Sequence, residues 1–350
     1  MRAPPFMTTA RRGAVVATVT KLGLVLAAFI LAAPPVAAAQ PPGKVWRVAY
    51  LYADSKSNAE GALKPFLEGL RQLGYVEGKN LRVEVWAAEG QPKELPALAA
   101  QLVRGKPDVI VVNSAGHASI VQGVTKTLPI VTLTSGDLRS SGIVASLTKP
   151  GGNVTGMQLF SPELMGKRLQ ILQEAIPSLR RIAVLRTPIQ WTPQSFALLL
   201  ALYRQATDDA AAKLGIRARY VGFDDPDQLP GLVAEMVKER DDALLVWANP
   251  TIGVFFDRIQ ELTIRHRLPA IHEFGSYVRR GGLIAYGPKL DDVIRQAATY
   301  VDQIFKGAKP GDLPIGQPTT FELVINLKTA RALGLKIPPT LLARADDVIE

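Results

Sequence analysis

Residues 47–52 read RVAYLY, and residues 181–186 read RIAVLR. Each stretch is a short apolar run after a basic residue, and further along the chain apolar residues recur at helical spacing. Strands that alternate with helices are typical of βαβ units, which build parallel sheets. The two runs therefore predict the opening strands of two α/β arrangements.

Further landmarks of the first arrangement return in the same order in the second. The offset stays close to 140 residues, which is too long for a solenoid repeat. We therefore predict two Rossmann-like lobes of similar α/β topology, with parallel sheets joined by a hinge. The paired landmarks are Leu73-Gly74 with Leu214-Gly215, Leu128-Pro129 with Leu268-Pro269, and residues 142–145 with residues 282–285.

The boundary between the predicted lobes lies in residues 149–156, KPGGNVTG, which are rich in turn-forming residues. We interpret this stretch as a hinge crossing. It divides the chain into lobe 1 (residues 45–155) and lobe 2 (residues 156–285). Residues 286–350 have no counterpart in the repeat, and we expect them to pack back over both lobes and to complete part of lobe 1.

The composition excludes several classes of protein. Apolar residues make up 47% of the chain, as in a globular protein, and there is no cysteine for a disulfide or a thiolate metal site. With only three histidines, we expect no metal and no cofactor. The net charge of +10 is scattered along the chain, whereas a nucleic-acid surface needs clustered basic residues, so we expect no nucleic-acid partner.

The first 39 residues have the pattern of a secretory signal peptide. Arg11, Arg12 and Lys21 precede an apolar run of 12 residues, 22–33, and residues 37–39 (AAA) supply the small residues of a cleavage site. The alternative is an uncleaved N-terminal anchor. Without a cysteine to carry a lipid, we expect a soluble periplasmic protein.

Catalytic motifs are scarce in the sequence. It contains neither a G-x-S-x-G nucleophile elbow nor a phosphate-binding glycine loop. A periplasmic α/β hydrolase that uses Ser114, His117 and Asp137 stays open as the less favoured alternative. His272-Glu273 lacks the spacing of a zinc motif.

In open α/β sheets, ligands bind beyond the carboxyl ends of the strands. Two such lobes would face each other across a cleft lined by strand-end loops, whose hydroxyl, amide, carboxylate and aromatic groups suit a small polar or zwitterionic ligand. The candidate ligand-binding residues are Tyr52, Asp54, Ser55, Asn113, Ser114, Ser135 and Asp137 in lobe 1, and Thr187, Trp191, Asn249, Glu273 and Phe274 in lobe 2.

Several motifs resemble ABC-transporter substrate-binding proteins of the tryptophan/tyrosine-binding branch. They run in the right order over essentially the whole chain after the leader: residues 74–80 (GYVEGKN), 95–99 (LPALA), 142–147 with 151–156, and 321–330 (FELVINLKTA) with 333–335 and 337–339. The resemblance implies a periplasmic binding protein of type I without enzyme activity. The chain departs from the family pattern at Leu138, where members commonly have proline, and at His272, where many carry tyrosine.

The sequence thus predicts an exported receptor that captures a small molecule, such as an amino acid or a related carboxylate, and delivers it to an ABC permease. A ligand sensor that docks to a chemoreceptor or a histidine kinase is the other reading left open.

Overall fold

The computed structural model describes residues 44–159, 162–186, 193–223, 225–247 and 250–350, with the backbone alone for residues 193–199, 250 and 251. The leader prediction and the candidates Thr187, Trp191 and Asn249 lie outside the described residues. None of the described helices combines the length and the apolar content that a bilayer crossing requires.

The first sheet has five parallel strands in the order β2-β1-β3-β4-β5. Buried valine and isoleucine side chains fill its central strands, as expected of a parallel sheet covered by helices on both faces. Its strands are β1 (Trp46–Tyr52), β2 (Leu81–Ala87), β3 (Val109–Val112), β4 (Ile130–Thr134) and β5 (Val154–Gln158), and the helices between them are α1 (Lys56–Gln72), α2 (Leu95–Arg104) and α3 (Ala115–Val124).

The second sheet has the strand order β12-β11-β10-β9-β8-β6-β7, and only the β10–β11 pair is antiparallel. Its strands are β6 (Arg181–Arg186), β7 (Arg217–Gly222), β8 (Ala243–Val246), β9 (Ala270–His272), β10 (Ile284–Pro288), β11 (Phe321–Asn326) and β12 (Asp347–Ile349). The helices that follow β5 are α4 (Leu164–Ala175), α5 (Pro193–Leu214), α6 (Leu229–Lys238), α7 (Pro250–Arg265), α8 (Gly275–Arg279), α9 (Leu290–Phe305), α10 (Leu327–Leu333) and α11 (Pro339–Leu342).

The order β7-β6-β8-β9-β10 repeats the order of the first sheet, so the repeat read from the sequence corresponds to a shared topology. One pairing of landmarks was wrong. The counterpart of β10 is β5, whereas residues 142–145 form a turn-rich segment. Ile143 and Val144 are buried there, but their backbone N–H groups donate to the Leu138 carbonyl and not to a neighbouring strand.

The predicted hinge segment also differs from the structure. Its last three residues belong to β5, which pairs with β4 along its whole length. The chain leaves the first sheet after Gln158 and returns after β10, where α9 packs against α1. It passes back to the second sheet before β11.

Apolar residues between positions 293 and 305 form the buried face of α9. Phe305 stacks on Trp46 of β1, with 4.2 Å between the ring centroids. We call the first sheet with α1, α2, α3 and α9 the first half, and the second sheet with the remaining helices the second half. A C-terminal segment thus supplies part of the first half's core.

Candidate functional site

The carboxyl end of β1 carries the first group of predicted ligand-binding residues. Tyr52 ends the strand, and Ser55 is the N-cap of α1, where its hydroxyl accepts a hydrogen bond from the backbone N–H of Asn58 at 3.2 Å. The Asp54 carboxylate accepts from the Asn58 side chain at 2.7 Å. All three predicted side chains are half-buried, so each keeps part of its surface at this edge of the sheet.

Asn113 and Ser114 occupy the corresponding place after β3. Ser114 is the N-cap of α3 and accepts a hydrogen bond from the backbone N–H of His117. The His117 ring contacts the Asn113 amide oxygen at 2.8 Å, and burial lowers the pKa of His117 to about 4. Among the described residues, the Ser114 hydroxyl makes no hydrogen bond to the His117 ring, so the nucleophile–base contact of the hydrolase alternative is not formed.

Ser135 and Asp137 follow β4 in a turn held by Thr134. The Thr134 hydroxyl accepts hydrogen bonds from the backbone N–H groups of Ala115 and Gly136, both at 2.9 Å, and so joins the ends of β3 and β4. The Asp137 Oδ1 accepts from the backbone N–H of Arg139 at 3.0 Å. Asp137 therefore caps its own turn, whatever else its carboxylate binds.

Replacing Asp137 with asparagine separates these two roles, because asparagine keeps the capping oxygen but loses the charge. We expect unfolding free energy within about 0.5 kcal/mol of wild type. A charge-assisted contact is worth about 1.5–3 kcal/mol, so ligand affinity should fall at least tenfold. Calorimetric titration with the aromatic amino acids that the family resemblance implies measures the affinity. A change of less than threefold would show that Asp137 only caps the turn.

In the second half, Glu273 and Phe274 follow β9, and both are buried. The Glu273 carboxylate lies 3.4 Å from the guanidinium of Arg168, a residue of α4 that is equally buried. Arg168 also donates through Nε to the backbone carbonyl of Tyr286 in β10, at 2.8 Å. Glu273 therefore lies beneath the surface at the end of β9, held by an ion pair.

Four rings surround this part of the second half. Phe256 stacks on Tyr277 with centroids 4.7 Å apart and meets His272 edge-on at 5.3 Å. Phe274 lies 6.3 Å from Tyr277. Burial, and then the charge of Glu273, raise the pKa of the Tyr277 phenol above its usual value, so the phenol is neutral at physiological pH.

One of these rings also packs into the core of the first half. Phe274 belongs to the same cluster of buried apolar side chains as the core of the first sheet and α9, and Tyr52 and Tyr277 pack against that cluster. Burial raises the pKa of Tyr52, and Arg280 of the second half partly offsets this effect. Aromatic side chains at the ends of β1 and β9 thus belong to or pack against one apolar cluster.

The sequence reading missed Arg168, Tyr277 and Arg280. Arg168 had a detectable signal, because in α4 it shares a face with Met165, Leu169 and Leu172, so a charge stands at an apolar position of a helix. No such sequence signal existed for Tyr277 and Arg280, because residues on and beside a short helix show no periodicity that assigns them to a strand end.

Buried neutral histidines predict a loss of stability in mild acid. The pKa values of His117 and His272 fall to about 4 and about 3 in the folded protein because burial disfavours the charged form. Below the ordinary histidine pKa of about 6.5 the unfolded chain therefore binds protons that the folded chain does not. We expect stability to be complete above this pH and to fall by up to about 1.4 kcal/mol per pH unit for each histidine below it.

Urea unfolding at pH 7.5, 6.0 and 5.0 tests this, with His272→Leu for comparison. Neither ring nitrogen of His272 has a hydrogen-bond partner among the described residues, so leucine forfeits no hydrogen bond there. The variant should lose less stability between pH 6.5 and 5 than wild type. Parallel profiles for the two proteins would contradict the prediction.

Half-buried hydroxyl, amide and carboxylate groups lie at the carboxyl ends of β1, β3 and β4, the edge at which open α/β sheets bind ligands. Buried aromatic rings lie at the carboxyl end of β9. Within the described part of the chain, no three histidine, aspartate or glutamate side chains are grouped as metal ligands.

Residues 53–349 match the family model of the ABC transporter substrate binding protein, and the chain belongs to this family. A tyrosine-binding protein of Clostridioides difficile (strain R20291) is 23% identical over 275 residues, which are 79% of this chain and 77% of that protein. The family resemblance read from the motifs is confirmed, and members of the family bind substrates and are not enzymes.

Solved structures agree with the fold. A conserved domain protein from Vibrio cholerae is 27% identical, with a TM-score of 0.78 over 87% of this chain and 100% of that chain. The ABC domain from Streptococcus pneumonia in complex with L-Trp is 24% identical, with a TM-score of 0.76 over 87% of this chain and 99% of that chain. The predicted fold class, periplasmic binding protein type I, is confirmed.

Proposed function

We propose that this protein captures an aromatic amino acid between its two halves and presents it to an ABC permease. The observation that carries the proposal is the apolar cluster that joins the halves: Phe274 is buried in it, and Tyr52 and Tyr277 pack against it. The tyrosine-binding protein and the L-Trp complex among the relatives support the choice of ligand class.

The ligand's polar groups would be held by the half-buried side chains of the first half: Tyr52, Asp54, Ser55, Asn113, Ser114, Ser135 and Asp137. Thr187, Trp191 and Asn249 stay predictions for the opposite wall. Glu273 and Phe274 are both buried, so they would support the side chains that contact the ligand and not contact the ligand themselves. If the two halves close on the ligand, a ligand that contacts both halves favours the closed form over the open form. The size of this shift is set by the difference between the ligand's affinities for the two forms.

Thermal and urea unfolding with added amino acids test the ligand class. L-tryptophan or L-tyrosine at 100 times its dissociation constant should stabilise the fold by about 2.7 kcal/mol. L-lysine and D-glucose at the same concentration serve as controls and should change nothing. Stabilisation by neither aromatic amino acid would overturn the proposed ligand class.

The proposed delivery to a permease is supported by the chain's membership of the ABC transporter substrate binding protein family. We expect the ligand-loaded protein to bind proteoliposomes that contain its cognate ABC permease with the ATPase subunits, and to stimulate ATP hydrolysis there. Loaded protein that leaves the ATPase rate unchanged would favour a sensory role.

Export through a cleaved leader is supported by the basic, apolar and small-residue segments of residues 1–39. Mature protein should begin at Gln40 or within a few residues of it. The intact mass of protein from the periplasmic fraction measures this, and a mass that includes residues 1–39 would contradict it.

A further inference from the structure

The ion pair between Arg168 and Glu273 is buried to an unusual degree. Their side chains are 1% and 2% exposed, whereas Arg344 and Glu174, which also anchor an ion pair on α4, are 46% and 31% exposed. Removing two charges from water costs several kcal/mol for each ion, and apolar residues often replace such pairs without loss of stability. The stability of the fold alone therefore does not account for this pair.

Arg168 ties together three segments that lie next to the passages between the halves. It belongs to α4, the first helix after the chain leaves β5, and it donates to the Tyr286 carbonyl near the end of β10, just before the chain returns. The third segment is the turn between β9 and α8, whose first residue, Glu273, forms the ion pair with Arg168.

The backbone of β10 also lies close to Glu273. A Cβ atom added at Gly287 would lie 2.0 Å from the Glu273 carbonyl oxygen and 3.2 Å from Nη2 of Arg168. The start of the β9–α8 turn therefore packs against both a side chain of α4 and the main chain of β10.

Phe274, the next residue along the turn, packs into the core of the first half, so the position of Glu273 also affects that packing. Phe274 lies in the buried cluster formed by the first sheet and α9, and no other described residue between 162 and 289 is among the buried members of that cluster. A shift of Glu273 would move Phe274 and, with it, the contact between the halves.

We propose that Arg168 is a positioning residue that sets the relative placement of the two halves, and hence ligand affinity, by holding Glu273 and through it Phe274. The part of this inference that concerns affinity rests on the proposed function. The part that concerns the placement of the halves does not depend on the proposed function, and it is measured separately.

The test uses a pair of spin labels, one on each half. The chain has no cysteine, so Lys126→Cys and Lys238→Cys, both at exposed positions, give one label in each half. The distance distribution between the labels is compared in the ligand-free protein for wild type, Arg168→Met and the matched control Glu174→Gln, which alters the exposed ion pair of the same helix.

We expect a shifted or broadened distribution for Arg168→Met and an unchanged one for Glu174→Gln. Because Arg168→Met leaves a buried carboxylate without its partner and could unfold the chain, the double variant Arg168→Met/Glu273→Leu removes both charges. It should regain the wild-type melting temperature but keep the altered distribution and bind L-tryptophan at least tenfold more weakly. Recovery of the wild-type distribution together with the melting temperature would show a purely structural role and overturn the inference.

Phe274→Ala completes the test. If Arg168 acts through Phe274, the distance shifts in Arg168→Met/Glu273→Leu and Phe274→Ala should not add when the variants are combined. Additive shifts would overturn the route through Phe274. Failure of wild type to bind L-tryptophan and L-tyrosine would overturn the proposed function alone, since the label distances need no ligand.

Discussion

Gly156→Ala is expected to remove most of the protein's stability. Gly156 has φ +135° and pairs with Thr132 of β4, and an added Cβ would lie 2.1 Å from the Thr132 carbonyl oxygen and 2.6 Å from its nitrogen. Both clashing atoms are backbone within the sheet, so neither moves without breaking strand pairing. We expect a loss of the order of 4 kcal/mol, which combines backbone strain with the clash.

Equilibrium urea unfolding measures this loss, and Gly61→Ala is the matched control. Gly61 lies inside α1 with no heavy atom within 4 Å of an added Cβ, so alanine there should stabilise the protein by up to about 1 kcal/mol. If alanine destabilises the protein at Gly156 but stabilises it at Gly61, the loss at Gly156 comes from the strand geometry there and not from the substitution as such. A Gly156→Ala variant as stable as wild type would mean that β5 does not pair with β4 as described.

Phe256→Ala should have the second largest effect, a loss of about 3–5 kcal/mol. The ring is fully buried, stacks on Tyr277 and meets His272 edge-on, and the Arg280 guanidinium lies 4.8 Å from its centroid. Its removal leaves a cavity beneath Tyr277, so affinity for L-tryptophan should fall as well.

Phe321→Ala is the control for the loss of a phenylalanine ring, because that side chain is 39% exposed. We expect it to cost about 1 kcal/mol or less and to leave affinity unchanged. Chemical unfolding and calorimetric titration give both quantities. Equal losses at the two positions would contradict the packing described around Phe256.

The sequence predicted the regular elements well wherever local chemistry determines them. Asparagine commonly begins a helix and glycine commonly ends one, and the Asn326 side chain does accept from the Thr329 N–H, while Gly334 has φ +73°. The run at residues 142–145 misled because a short apolar run predicts burial without distinguishing a strand from a turn. Glycines at residues 151 and 152 likewise indicated a turn but not which sheet the chain would enter next.

For the candidate site, the sequence located the strand ends but not the partners of the residues there. The places of Tyr52 and Ser55 followed from one strand and one helix. The pairing of Glu273 with Arg168 joins residues 105 positions apart, and the packing of Phe274 into the first half depends on how two sheets meet. Contacts of this kind arise from tertiary structure, which no local pattern encodes.

The packing of α9 against α1 has a consequence for the order of folding. The first sheet begins at residue 46, yet its core includes Phe305, more than 250 residues later. While the chain is being synthesised, the first half therefore lacks one of its covering helices until nearly the whole second half has been made. Non-local contacts of this kind slow folding. We expect the nascent chain to stay loosely structured for longer than a chain whose halves fold one after the other.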